Sequence, residues 1–299
     1  MPIESFDEYI SACATEKIPH GQSGAEVYRL SGGKIAKLVK KELLAQEGLW
    51  ERYHRESLFY SHFGPCGLPF VPTVYENRLT EDRLLLVLKE YRPFPRCALR
   101  DPAMLEKVTD VLCSIHALPV PDFLSAEKPA PVHYSPETLA RCREGWESVL
   151  QEHPGRFSLT EPENVCQNIS RVNERLFAPF LRFVHGDFHV ENLLLDDDNN
   201  LLVCDWQNCG LGEAGGDLAF FLSRLSADGI TLPQRPLLES YCRKAGITEP
   251  HRLEAQMRLA DLNTAFLFWH QYLHGSTPER VSEIFGKMCS DMDFLLQLC

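Results

Sequence analysis

Hydrophobic positions change their period along this chain, and the change divides it. Up to about residue 91 the apolar runs are mostly short and strand-like. Glu26-Val27-Tyr28-Arg29-Leu30 and Lys34-Ile35-Ala36-Lys37-Leu38-Val39 flank Ser31-Gly32-Gly33, which predicts a hairpin. Residues 42–63 read instead as a helix, with Leu49, Tyr53, Glu56 and Tyr60 at steps of four, three and four. Residues 71–75 and 84–88 read as two more strands, and Arg92-Pro93-Phe94-Pro95 as a linker.

From about residue 100 the helical period takes over. It predicts helices over 104–116, from Ser135 (cap) and Pro136 (first helical position) onward, and near 163–178. Further helices are predicted at about 217–226, 234–244, 250–274 and 277–297. Residues 183–206 interrupt them with two short strands around Asp196-Asp197-Asp198-Asn199-Asn200. The pattern predicts an α+β chain: a small β-rich lobe over 1–91, a larger helical lobe over 92–299, and a cleft between them as the default ligand site.

Composition narrows the function classes. The formal net charge of −12 makes wrapping of nucleic acid or docking on an anionic membrane a poor fit. No stretch approaches the ~18 apolar residues of a membrane span. The 11 cysteines are odd in number and scattered without a CxxC pair, which fits reduced thiols in the cytoplasm better than a disulfide framework or a zinc site. Residues 1–8 are acidic and carry no secretory h-region. Oligomeric state is not readable from the sequence.

Candidate chemistry concentrates in His185-Gly186-Asp187-Phe188-His189-Val190-Glu191-Asn192 and Leu202-Val203-Cys204-Asp205-Trp206. An Asp, an Asn five residues on, and a second Asp ending an apolar strand are the set that phosphoryl transfer from ATP requires. Asp187 would accept or orient a substrate hydroxyl proton, and Asn192 and Asp205 offer hard oxygens for Mg²⁺. Magnesium rarely takes imidazole, so His185 and His189 read as loop-ordering residues. Lys37, mid-strand after the turn at Gly21-Gln22-Ser23-Gly24, is placed to pair with phosphates, and Glu56 on the following helix to hold its ammonium. A surface pair of Glu56 with Arg52 is the bland alternative. Gly21, Ser23 and Gly24 would let backbone N–H groups approach phosphate oxygens. Asp217 precedes an apolar helix and is placed to cap it.

These residues resemble the phosphotransferase family of aminoglycoside and choline kinases. The likeness rests on the Asp187 run, Asp205, Gly216-Asp217-Leu218-Ala219, Lys37 in an Ala-Lys-Leu strand, Arg55-Glu56 and Ile115-His116-Ala117, and spans about residues 18 to 225. It implies a protein-kinase-like two-lobed fold holding ATP, with GTP as a second candidate. The backbone of Lys89-Glu90-Tyr91 would meet the adenine. Asp205 is followed by Trp206-Gln207 rather than Phe-Gly, and no Ala-Pro-Glu activation segment is visible, which favours a small-molecule acceptor over a protein. The resemblance places the acceptor on C-terminal helices, where Asp261, Trp269 and His270 are the candidates, among Trp146, Glu147, Asn263, Tyr272 and His274. The expected acceptor is a hydroxyl of a small cationic molecule, such as an aminoglycoside-like antibiotic or choline. The alternatives are a catalytically silent nucleotide-binding module, or a kinase for homoserine, a sugar or a protein.

Overall fold

The computed structural model describes residues 5–19, 24–128, 130–177 and 181–299. It packs as two units, Met1–Ala126 with Phe183–Gly210, and Glu127–Arg182 with Leu211–Cys299.

The first unit opens on α1 (Phe6–Cys13), closed by a reciprocal cap in which the Ser5 hydroxyl accepts from the Glu8 N–H and the Glu8 carboxylate accepts from the Ser5 N–H. Five strands follow: β1 (Ala14–Ile18), β2 (Glu26–Leu30), β3 (Lys34–Lys40), β4 (Val74–Leu79) and β5 (Arg83–Lys89). They form one antiparallel sheet in the order β1-β2-β3-β5-β4. Alternation along β3 sends Ala36 and Leu38 to one face, where they bury with Leu85, Val87 and the α1 residues Phe6 and Ile10. The opposite face carries Lys37 and Val39. Val39 packs there with Leu84 and with Tyr53 of α2 (Leu49–Phe63).

The predicted hairpin forms as expected. The helix predicted over 42–63 begins only at Leu49, because Gly48 precedes it in the left-handed region at φ 80°. The predicted linker also differs. Arg92–Pro93 forms β6, paired with β8 (Leu193–Leu195), which pairs in turn with β9 (Leu201–Val203). The Arg92 guanidinium reaches the Asp196 carbonyl and the Asn199 side chain, so the β8–β9 turn is tied to the chain just past the sheet. The unit is completed by α3 (Pro102–His116), capped by Asp101.

Packing does not follow the division expected at residue 91, because residues 183–210 join the sheet unit. The Val203 N–H donates to the Phe70 carbonyl at 2.8 Å, and the Trp206 indole stacks on Phe59 of α2 with centroids 3.9 Å apart and planes 10° from parallel. Short strands β7 (Arg182–Val184) and β10 (Gly210–Gly212) bound this segment.

The second unit is helical: α4 (Pro136–Gln151), α5 (Glu161–Leu176), α6 (Ala214–Ala227), α7 (Gln234–Ala245), α8 (Pro250–Phe268) and α9 (Pro278–Leu296). Trp146, Ile169, Phe266, Phe285 and Met288 anchor its core. The helix expected through residue 274 ends at Phe268 and tightens into a turn over Trp269–Gln271. Within that turn His270 packs so close to α4 that a Cβ on Gly145 would overlap its ring. Helix α6 starts at Ala214, with Glu213 at the cap position, so Asp217 lies buried in the first turn instead of capping it. No described helix is long and apolar enough to cross a membrane.

Candidate active site

Strand alternation turns Lys37 toward α2, and helical spacing puts Tyr53 and Glu56 on the α2 face that meets it. The Lys37 ammonium donates to Glu56 Oε2 at 2.7 Å and to Asp205 Oδ1 at 2.8 Å, and lies 4.9 Å from the centre of the Tyr53 ring. Glu56 is therefore not a surface partner of Arg52; its side chain is 2% exposed. Burial alone would lower the Lys37 pKa, but the charges of Asp205 and Glu56 outweigh it and hold the ammonium well above the ordinary lysine range. Burial pushes Glu56 up even against Lys37. Asp205 goes the other way: burial would raise it, and Lys37 brings it below the usual carboxylate range. Tyr53 was missed as a site residue, although its place three residues before Glu56 on one helical face was the signal.

Asp205, two residues past β9, takes the left-handed conformation, φ 64°, which Asp tolerates better than most residues. Its other oxygen faces the Gln207 amide at 3.4 Å. The segment after it is fixed from outside, by the Trp206–Phe59 stack and by the Arg55 guanidinium on the Cys209 carbonyl at 3.1 Å.

The Asp187 loop is tied to the same strand end. His185 is fully buried; its Nε2 meets the Cys204 carbonyl at 3.0 Å and its Nδ1 accepts the Asp187 N–H at 3.2 Å, which together fix the Nε2–H tautomer. Gly186 has φ 76°, and a Cβ there would overlap the Asn208 carbonyl oxygen, so only glycine closes this turn. Asn192 is buried. Its Nδ2 donates to the Asp187 carbonyl at 2.9 Å, and its own carbonyl accepts the Cys204 N–H at 2.9 Å. Asn192 thus stands beside the residue that precedes Asp205. His189 lies 3.7 Å from the Asp187 carboxylate and 3.5 Å from Glu191.

Among the described residues no three or more His, Cys, Asp or Glu side chains cluster as a metal cage. One amide oxygen and one ionised carboxylate is a donor set that suits Mg²⁺ shared with phosphate oxygens, because Mg²⁺ takes few protein ligands and prefers hard oxygen.

The segment expected to meet a base is tied in at the end of β5, between β3 and β4. The Lys89 N–H donates to the Thr73 carbonyl and the Glu90 N–H to the Gly33 carbonyl, while the Glu90 carboxylate accepts from Arg29 at 2.8 Å. The Tyr91 hydroxyl meets Thr73 at 3.0 Å. Gly24 is left-handed at φ 77°; Gly21 and Ser23 lie outside the described residues.

The acceptor candidates are in the helical unit. Asp261 and Trp269 line one cavity of about 280 Å³. His270 is not among its lining residues; it is 6% exposed and its Nε2 has no partner among the described residues. Trp146 is buried, with its indole N–H on the Phe266 carbonyl. Glu147 pairs with Arg143, Asn263 bonds Tyr134 and Asn173, and His274 pairs with Glu152.

The family model of the phosphotransferase enzyme family matches residues 14–257. No curated relative is similar enough in sequence to count as a match. Among solved structures, an ADP-bound aminoglycoside phosphotransferase APH(2'')-Ib is 16% identical, with a TM-score of 0.60, covering 98% of this chain and 99% of its own. Choline kinase from Cryptosporidium parvum is 12% identical, with a TM-score of 0.54 and coverages of 96% and 89%. Ethanolamine kinase from Plasmodium vivax is 10% identical, with a TM-score of 0.59 and coverages of 96% and 83%. The fold is the protein-kinase-like fold of these enzymes.

Proposed function

We propose that this chain, which belongs to the phosphotransferase enzyme family, is a small-molecule kinase that transfers the terminal phosphoryl group of ATP, or of GTP, to a hydroxyl of a small cationic molecule. The observation that carries the reading is the Lys37 ammonium held between Glu56 and Asp205. A cation fixed on a sheet face by one buried carboxylate, with a second carboxylate beside it, suits a nucleotide's phosphates and their metal.

In this reading Asp187 orients the acceptor hydroxyl and takes its proton. The acceptor oxygen bonds to the terminal phosphorus as the bond to the bridging oxygen breaks, leaving a nucleoside diphosphate. Lys37 binds phosphate oxygens, and Glu56 keeps it in place. Asn192 and Asp205 would hold Mg²⁺, which when bound neutralises charge on the phosphates. The base would lie along Lys89-Glu90-Tyr91, toward Tyr91, since the other two N–H groups already donate within the fold. Gly21, Ser23 and Gly24 would cover the phosphates.

The cationic acceptor is supported by two things. The chain carries a formal net charge of −12, and the solved enzymes it resembles are named for aminoglycosides, choline and ethanolamine, all alcohols that carry an amine or ammonium group. The eleven thiols, none in a disulfide, suit the cytoplasm, where ATP is plentiful.

The test is nucleotide turnover against a panel of aminoglycosides and amino alcohols, with the Asp187→Asn variant alongside. Turnover should fall about a hundred- to ten-thousandfold in the variant while nucleotide affinity stays near wild type. Wild-type rates in the variant would remove Asp187 from the chemistry, and nucleotide binding without turnover of any acceptor would favour a silent module.

A further inference from the structure

The helical unit has a second cavity, of about 250 Å³, which shares no lining residue with the one that Asp261 and Trp269 line. Its polar floor is a pair of amides, Asn173 of α5 and Asn263 of α8. Asn173 Nδ2 gives one hydrogen to the Ile169 carbonyl at 2.8 Å and the other to Asn263 Oδ1 at 2.9 Å, and Asn263 Nδ2 donates back to Asn173 Oδ1 at 2.9 Å. Because a carbonyl can only accept, Ile169 fixes which end of each amide is which. The Tyr134 hydroxyl donates to Asn263 Oδ1 at 2.7 Å and takes that oxygen's second lone pair. One edge of the reciprocal pair is therefore full. The other edge, Asn173 Oδ1 beside Asn263 Nδ2, keeps one lone pair and one N–H with no partner among the described residues. Both asparagines line the cavity and neither Ile169 nor Tyr134 does, so the open edge is the one turned toward it. Phe177, Leu181, Leu211 and Leu259 supply an apolar wall, and Glu213 is the one ionisable residue among the described lining residues.

We propose that this cavity binds a small neutral lactam, whose carbonyl accepts the open Asn263 N–H while its own N–H donates to Asn173 Oδ1. An amide held cis in a ring presents donor and acceptor side by side, as two neighbouring amide atoms 2.9 Å apart require. An open-chain secondary amide is trans and turns them to opposite sides. The ring gains by leaving water against Phe177 and the leucines. Glu213 disfavours an anion, and an ammonium brings no acceptor for the Asn263 N–H. No residue proposed to act in phosphoryl transfer lines the cavity, so the inference stands apart from that reading.

The probe is 2-quinolinone, a flat lactam, titrated into the full chain and followed by calorimetry. Saturable binding is expected. Coumarin has the same shape with a ring oxygen in place of the N–H, which sets a lone pair against Asn173 Oδ1. It should bind about tenfold more weakly, the effect of one hydrogen bond lost in a buried place. Gly216 of α6 lines the cavity, and a Cβ there would meet nothing within 4 Å, so Gly216→Val fills space without pressing on a neighbour. That variant should lose the binding and keep the wild-type melting temperature within a few degrees. Gly216→Ala adds one methyl, should weaken binding by a smaller factor, and guards against a folding defect in Gly216→Val. ADP with Mg²⁺ should leave the isotherm in place. Absence of saturable binding, coumarin bound as tightly as the lactam, full affinity in both Gly216 variants, or displacement of the lactam by ADP would each overturn the proposal.

Discussion

Two lysines in this chain each stand between two carboxylates at nearly the same distances: Lys37 at 2.7 and 2.8 Å, Lys287 at 2.6 and 2.7 Å. Their origins differ. Lys287 and Asp291 are neighbours on one turn of α9, so the helix itself sets their pairing. Lys37, Glu56 and Asp205 come from a strand, a helix and a left-handed position just past a strand, spread over 169 residues of sequence, and only the folded sheet unit brings them together. Their solvation differs as well. The Lys37 side chain is 17% exposed and Lys287 51%. Distance alone therefore says little about what a shared lysine does. Lys37 is held by long-range packing throughout, whereas Lys287 has one partner on its own helix and one on α8.

The comparison breaks or holds on removal of each ammonium. Lys37→Met strands the Glu56 carboxylate, 2% exposed, with Asp205 beside it. Unfolding free energy should drop by about 3 kcal/mol, the usual cost of breaking a buried pair from one side. Denaturant titration at neutral pH measures it, and adding Glu56→Gln to Lys37→Met should restore much of the loss. Loss of less than ~1 kcal/mol would mean that Glu56 sheds its charge or reaches water, and the two clusters would then be alike.

Lys287→Met is the counterpart, with the smaller effect. Asp291 keeps Arg258, the Asp261 side chain left behind is 22% exposed and reaches water, and the removed ammonium is half in solvent, so the change should stay below ~1 kcal/mol in the same titration. A loss as large as that of Lys37→Met would show that exposure is a poor guide here.

The sequence made part of this geometry legible. The pairing of Lys37 with Glu56 could be anticipated because each period is local: alternation fixes the face of Lys37, and the helical repeat fixes the face of Glu56. The Asp187-to-Asn192 spacing also acts locally, since the Asn192 amide closes on the Asp187 carbonyl. What could not be read came from long range. Nothing near Trp206 in sequence announces its stack on Phe59, and so the packing of residues 183–210 with the sheet was hidden. Arg92-Pro93 looked like a linker because its partner strand lies about a hundred residues away. On the C-terminal helices an aromatic or charged residue carries no sign of where it points. Asp261 and Trp269 line a cavity, whereas His270 is pressed against Gly145.

His270 gives the smallest effect and separates the helical unit's acid response from its lysine cluster. Its ring is buried, and burial lowers its pKa; the charges of Arg141 and His274 act in the same direction and a hydrogen bond with the Leu267 backbone opposes them. The unfolded chain then binds the proton more readily than the folded one, so stability rises with pH across the interval between the lowered folded pKa and the ordinary imidazole value. Acidification through the ordinary histidine range should therefore reduce the melting temperature, and below the folded pKa no further loss comes from this residue. His270→Gln should flatten that slope, whatever it does to the plateau at neutral pH, and Lys287→Met should leave the slope in place. If Lys287→Met flattened it instead, the acid response would not be that of the His270 ring, and the exposed lysine would hold the helical unit together as the buried one holds the sheet.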